Sequence, residues 1–196
     1  MPAIEENKDI KQKTVRVFFA VWPDDEAQKQ LGELVKRLRL DSLCGGRKTK
    51  AENIHLTLVF VGEVDTSQLQ TLSRVADEIE ASRKRAFDLV VEKICCWKRK
   101  NIVHAELSTV PRELMDLVTA LQNGLSAAAF SLEQRPYKPH ITLMRNASCQ
   151  TLPELGKRIT PPIAWRVREW VLVRSEQTSD GSVYVPIGRW SLGTSE

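Results

Sequence analysis

Residues 52–64, ENIHLTLVFVGEV, set His55 and Thr57 into an otherwise apolar run, and residues 135–145, RPYKPHITLMR, repeat the arrangement with His140 and Thr142. Both runs have the composition of strands, in which residues i and i+2 share a face. Each imidazole therefore stands beside a hydroxyl, mid-strand, while Leu56, Leu58, Ile141 and Leu143 turn to the core. Chance explains this poorly. With twelve threonines among 196 residues and only three histidines, two copies of His-x-Thr arise by accident roughly once in a hundred such sequences.

Working outward, VRVFFAVW at 15–22 reads as a strand stopped by Pro23, and Asp24-Asp25 opens a helical pattern that reaches about Leu40. A loop over 44–53 leads to the first motif strand, 54–61, which Gly62 ends. Thr66 or Ser67 caps a helix over about 69–85, and FDLVVEKICCW with NIVHAELS forms a hairpin across a basic turn. After Pro111 comes a third helix, then the second motif strand over 136–144. A proline-rich link at Pro153, Pro161 and Pro162 precedes AWRVREWVLVRS and SVYVPIGRWSL, two strands around the turn Ser179-Asp180-Gly181. Strand, helix, His-x-Thr strand thus occurs twice, which predicts two similar lobes. The expectation is an α+β, bilobal domain over 14–196, with two antiparallel sheets facing a central cleft, helices outside, and a loose tail over 1–13.

At 42% hydrophobic content the chain can bury a sizeable core, and its formal charge of +4 is compatible with a polyanionic partner. Basic clusters lie at Arg47-Lys48-Thr49-Lys50, Arg83-Lys84-Arg85 and Lys98-Arg99-Lys100. Cys44, Cys95, Cys96 and Cys149 show no C-x-x-C spacing, so neither a zinc site nor a disulfide framework is indicated, and a reducing cytoplasm is the expected location. The first 13 residues mix charges and do not read as a targeting sequence. The longest wholly apolar run, 17–22, is far too short to cross a bilayer.

Two strands that bring their polar faces together place two imidazoles around one reacting centre, one as general base and one as general acid. Phosphorus suits this, because hydroxyls and a guanidinium can hold its nonbridging oxygens. Arg145 is the candidate guanidinium. By strand parity it points away from His140, so a bend or bulge must redirect it. A three-histidine zinc site with His104 would draw ligands from separate strands with no carboxylate at ligand spacing, so neither metal nor cofactor is expected. Two other readings are a nonenzymatic RNA-binding module using the basic clusters and Trp97, and RNA joining at the same site. Gly45-Gly46-Arg47-Lys48 lacks the spacing of a phosphate-binding glycine loop, which favours hydrolysis over joining.

These motifs, with the opening Arg16-Val17-Phe18-Phe19-Ala20 and the closing stretch from Tyr184 to Leu192, resemble the bacterial RNA 2′,3′-cyclic phosphodiesterases, also called 2′-5′ RNA ligases, of the two-histidine phosphoesterase superfamily. The resemblance implies metal-independent hydrolysis of RNA ends bearing a 2′,3′-cyclic phosphate, leaving a 2′-phosphate, with tRNA halves among the candidate RNAs. It implies that His55 is the general acid for the departing O3′ and His140 the general base for water. Thr57, Thr142 and Arg145 would contact the phosphate, and Phe18 would stack on the terminal base. A monomer without membrane contact is expected.

Overall fold

The computed structural model describes residues 13–38, 45–82, 84–148, 158–179 and 181–193, so nearly all of the expected N-terminal tail lies outside the described residues. The chain begins with β1 (Thr14–Val21) and α1 (Asp25–Arg37). The carboxylate of Asp24 caps α1 by accepting from the Ala27 N–H at 2.9 Å. Asp25 and Glu26 in the first turn and Lys36 and Arg37 in the last complement the helix dipole. The expected loop before the first motif holds a two-residue strand, β2 (Arg47–Lys48), and a 3₁₀ turn, Ala51–Asn53.

β3 (Leu56–Asp65) starts one residue after His55, so the first motif sits at the mouth of its strand rather than in the middle. Gly62 does not end it. With φ of +99° it follows a bulge, since Val17 faces Gly62 while Phe18 faces Phe60, and the strand bends there and continues. Asp65, not Thr66 or Ser67, then supplies the cap, through a reciprocal box with Gln68 ahead of α2 (Leu69–Ala81). β4 (Phe87–Trp97) and β5 (Ile102–Leu107) form the expected hairpin, followed by α3 (Arg112–Ala127).

β6 (Ile141–Arg145) begins just after His140, which again places the motif's histidine at a strand entrance. The last three strands are β7 (Arg158–Val167), β8 (Glu169–Thr178) and β9 (Gly181–Ser191). Two expectations change here. Pro161 and Pro162 belong to β7 rather than to a link, which is tolerated because β7 is an edge strand. AWRVREWVLVRS is two strands, broken at Arg168. Pro153 and Asp180 lie outside the described residues.

All these strands join one antiparallel sheet, in the order β7-β4-β5-β6-β3-β1-β8-β9 with β2 also on β6. The expected two sheets are therefore two four-stranded halves of one α+β sheet. A single paired position, Leu56 with Ile141, joins β3 to β6. On one face, Val17, Phe19, Leu56, Leu58, Ile141 and Leu143 pack with the apolar stripes of the helices, such as Leu31, Leu72 and Leu121, in one core. Each such side chain contributes about 1.5–3 kcal/mol by leaving water. The other face carries a small separate cluster of Phe18, Ala20, Val171 and Val173, flanked by Trp22 and Tyr184. No described helix is long and apolar enough to cross a membrane.

Candidate active site

The one-residue seam sets the geometry. In an antiparallel ladder, pairing Leu56 with Ile141 puts position 55 opposite 142 and position 57 opposite 140. The two His-x-Thr motifs therefore lie side by side, close enough that His140 acts on the His55 pKa by its charge. Both histidines are half-buried.

Each imidazole is oriented by a backbone carbonyl two residues upstream. His55 Nδ1 donates to Asn53 O at 2.7 Å and His140 Nδ1 to Lys138 O at 2.8 Å, which leaves both Nε2 atoms free to act. His55 Nε2 accepts from the Thr57 hydroxyl at 3.1 Å. Aromatic rings fix the planes. Phe18 and Trp22 each stack on His55 with centroids 5.0 Å away, and Tyr184 meets its edge at 5.1 Å. Trp97 packs at 4.4 Å against both His140 and His104.

Arg145 reaches this face through a bulge. On β6, Thr142 pairs with His104 and Met144 with Val103, so Leu143 is the extra residue and parity flips beyond it. Met144 is buried beside Val103 in the core, while Arg145 shares the side of the motifs and lowers the pKa of both imidazoles by its charge. β2 holds this bulged end by pairing Arg47 with Arg145. Gly46, at φ of +83°, permits the approach, since a Cβ there would lie 2.7 Å from the Arg145 carbonyl oxygen and 2.9 Å from the Ala147 backbone. Gly46→Ala is therefore expected to destabilise the fold by roughly 1–2 kcal/mol through backbone conformation alone. It should also lower activity by shifting Arg145, which thermal melts and rate measurements on the same sample would read together.

Burial pushes the His55 pKa down to about 4, with Arg145 and His140 adding to the shift and the Asn53 carbonyl opposing it. Burial also lowers the pKa of His140, with His104, Arg145 and Arg135 contributing. The consequence for stability has a definite sign. An unfolded histidine takes up its proton near pH 6.5 and folded His55 does not, so stability is full above pH 6.5 and falls as the pH drops toward 4. The expected loss from His55 is on the order of 3 kcal/mol. Denaturant melts at pH 7 and pH 4.5 should show a smaller acid penalty for His55→Gln than for the wild type.

Several residues of the site are not singled out by the motifs. Trp22 and Tyr184 flank His55, and the buried Asn53 ties that loop to β9 through Nδ2 and Ser182 O at 2.8 Å. Tyr137 donates to the Thr57 carbonyl at 2.9 Å. The period-two run Phe18, Ala20, Trp22 is the signal that could have drawn attention to Trp22. Phe18 itself is 3% exposed, its ring covered by His55 and Tyr184. Phe19 fills the core beside Trp170 and Trp190, as its parity requires.

Next to His140 opens a cavity of about 710 Å³, walled by Phe60 and Trp97 and edged by Lys98, Arg99, Lys100, Arg135 and Lys138. A smaller one of about 100 Å³ brings Arg47, Lys48 and Lys50 together with Arg145. Two of the three basic clusters thus border the site. The cysteines depart from expectation in one respect: Cys95 is a free thiol, but Cys96 is disulfide-bonded.

A family model described as LigT like Phosphoesterase matches residues 21–104 and 107–184, a span that holds both motifs and Arg145. The chain is 33% identical to the RNA 2′,3′-cyclic phosphodiesterase of Escherichia coli (strain K12) over 178 residues, covering 90% of this chain and 96% of that protein. It is 30% identical to the protein of that name from Thermotoga maritima over 181 residues, covering 87% and 91%. The crystal structure of E. coli LigT complexed with 3′-AMP is similar with a TM-score of 0.79 and 30% identity, over 92% of this chain and 99% of that one. Motif, fold and sequence agree, and the chain belongs to the LigT-like phosphoesterase family.

Proposed function

We propose that the protein hydrolyses the 2′,3′-cyclic phosphate at RNA ends to a 2′-phosphomonoester, using two imidazoles in place of a metal or cofactor. The observation that carries this reading is the pairing of Leu56 with Ile141, which sets the two motifs side by side, with one guanidinium acting on both histidines. The names of the relatives supply the substrate class.

In the proposed reaction His140 Nε2 takes a proton from water as its oxygen bonds to phosphorus, and the P–O3′ bond breaks as His55 gives its proton to O3′. Arg145, Thr57 and Thr142 hold the nonbridging oxygens, where charge gathers. Burial and Arg145 keep both imidazoles neutral at pH 7 before substrate binds, so the anionic diester must raise the pKa of His55 for it to carry the proton. Phe18, expected as a stacking platform, is too buried to take a base. Its proposed role is to support the His55 ring. The basic edge of the large cavity suits the phosphates of the RNA strand on the 5′ side of the cyclic end. A cytoplasmic monomer remains part of the proposal.

The test is end-group analysis of a short RNA ending in a 2′,3′-cyclic phosphate, alone and mixed with 5′-hydroxyl tRNA halves. A 2′-phosphate is the expected product. An unchanged end defeats the reading, a 3′-phosphate reverses the leaving group, and joined product at a comparable rate makes ligation the activity.

A further inference from the structure

The proposed reaction leaves one buried histidine without a task. His104, on β5, is 1% exposed, with Trp97 at 4.4 Å and the edge of His140 at 5.8 Å. The two reacting imidazoles anchor Nδ1 on the carbonyl two residues upstream. For His104 that carbonyl is Ile102's, which raises the pKa of the ring against its burial but stands outside full hydrogen-bond geometry, so Nδ1 is buried and at best weakly satisfied. A buried polar atom in that state favours any partner that can satisfy it.

Two more donors converge on this imidazole. Cys95 stands directly across the β4–β5 ladder, and Glu106 lies two residues on from His104, along the same face. The Cys95 thiol donates to Glu106 Oε2 at 3.2 Å, and one ligand atom from each of the three residues lies within 4.8 Å of the other two. Cys95 is half-buried and Glu106 exposed, so solvent reaches the cluster.

We infer that Cys95, His104 and Glu106 bind a divalent transition-metal ion of the zinc class, on the His140 side of the site. A thiolate, an imidazole and a carboxylate together select zinc or cobalt over magnesium or calcium. Bond lengths of about 2.0–2.3 Å in a tetrahedron require ligand atoms roughly 3.4–3.6 Å apart. Small rotations of Cys95 and Glu106 supply that closure while packing holds His104 still. Binding breaks the Sγ–H···Oε2 hydrogen bond, forms a metal–sulfur bond and releases the thiol proton to solvent, with no change of oxidation state. Three protein ligands leave a fourth position for water or an anion. Sequence spacing could not show this, because the ligands meet only through hairpin pairing. The expectation of no metal rested on the three histidines and on the absence of C-x-x-C spacing among the cysteines, Cys95 included.

The test uses the full chain without thiol reductant, with Co²⁺ as the probe and no RNA present, so it stands apart from the cleavage reading. The expected result is one equivalent of Co²⁺ bound with a sulfur-to-cobalt charge-transfer band. Cys95→Ala should abolish the band, Glu106→Gln should weaken binding by about tenfold or more, and His55→Gln should leave both unchanged. Circular dichroism checks that each variant is folded. Binding well below one equivalent in the wild type, a band that survives in folded Cys95→Ala, or one that vanishes in folded His55→Gln overturns the assignment.

Discussion

Replacing either His55 or His140 by glutamine is expected to lower kcat/KM on a cyclic-phosphate RNA by about 10²–10⁴, the usual contribution of a positioned proton donor or acceptor. Glutamine keeps a side-chain amide near the carbonyls of Asn53 and Lys138 but cannot shuttle a proton at neutral pH. The double variant should lose little beyond the worse single, because in the proposed reaction both imidazoles serve one transfer and removing either already disables it. Thr57→Val should cost less, since its hydroxyl assists without moving a proton in the slow step. Initial rates on an end-labelled oligonucleotide decide the matter. Single variants that cleave like the wild type would return the chain to the class of RNA-binding modules.

Arg145→Gln is expected to cost about 10²–10³ in kcat, the range for losing one well-placed charge-stabilising contact. A second effect separates this from simple misfolding. The Arg145 cation lowers the pKa of both His55 and His140, so its removal must raise both. A reaction that needs one protonated and one neutral imidazole peaks midway between their two values. The wild-type kcat/KM optimum should therefore lie below about pH 6.5, the ordinary histidine value, and the variant's optimum should move upward. A variant that is slower with an unmoved optimum would show that the guanidinium does not act on the imidazoles.

The motifs, the two-half plan and the helix positions were legible because they rest on local alternation and spacing. Phe19 in the core and Leu56 and Ile141 behind the motifs follow from parity alone. What could not be read depends on partners distant in sequence. The bulge that turns Arg145 around is defined only by the neighbouring strand β5, and the parity argument could say no more than that a bulge was needed. The placement of Pro161 and Pro162 within β7 depends on its being an edge strand, which is a property of the sheet order. Gly62 reads as a stop because glycine usually breaks strands, yet pairing with β1 carries the strand through it. The aromatic enclosure of His55 gathers residues from β1 and β9, more than 160 positions apart, and no local pattern could assemble it.

The seam between β3 and β6 has a mechanical meaning. Long ladders lock neighbouring strands, whereas a lone pair of backbone partners yields to thermal fluctuation at a small fraction of the global unfolding free energy. His55 and His140 thus stand on opposite sides of the narrowest backbone junction in the sheet, while one apolar core runs beneath both halves. Their alignment therefore rests on the side chains packed behind the seam, Leu56 and Ile141 among them, more than on backbone pairing. The geometry of the proposed reaction accordingly depends on the fit of a hydrophobic core as well as on the chemistry of the polar face above it.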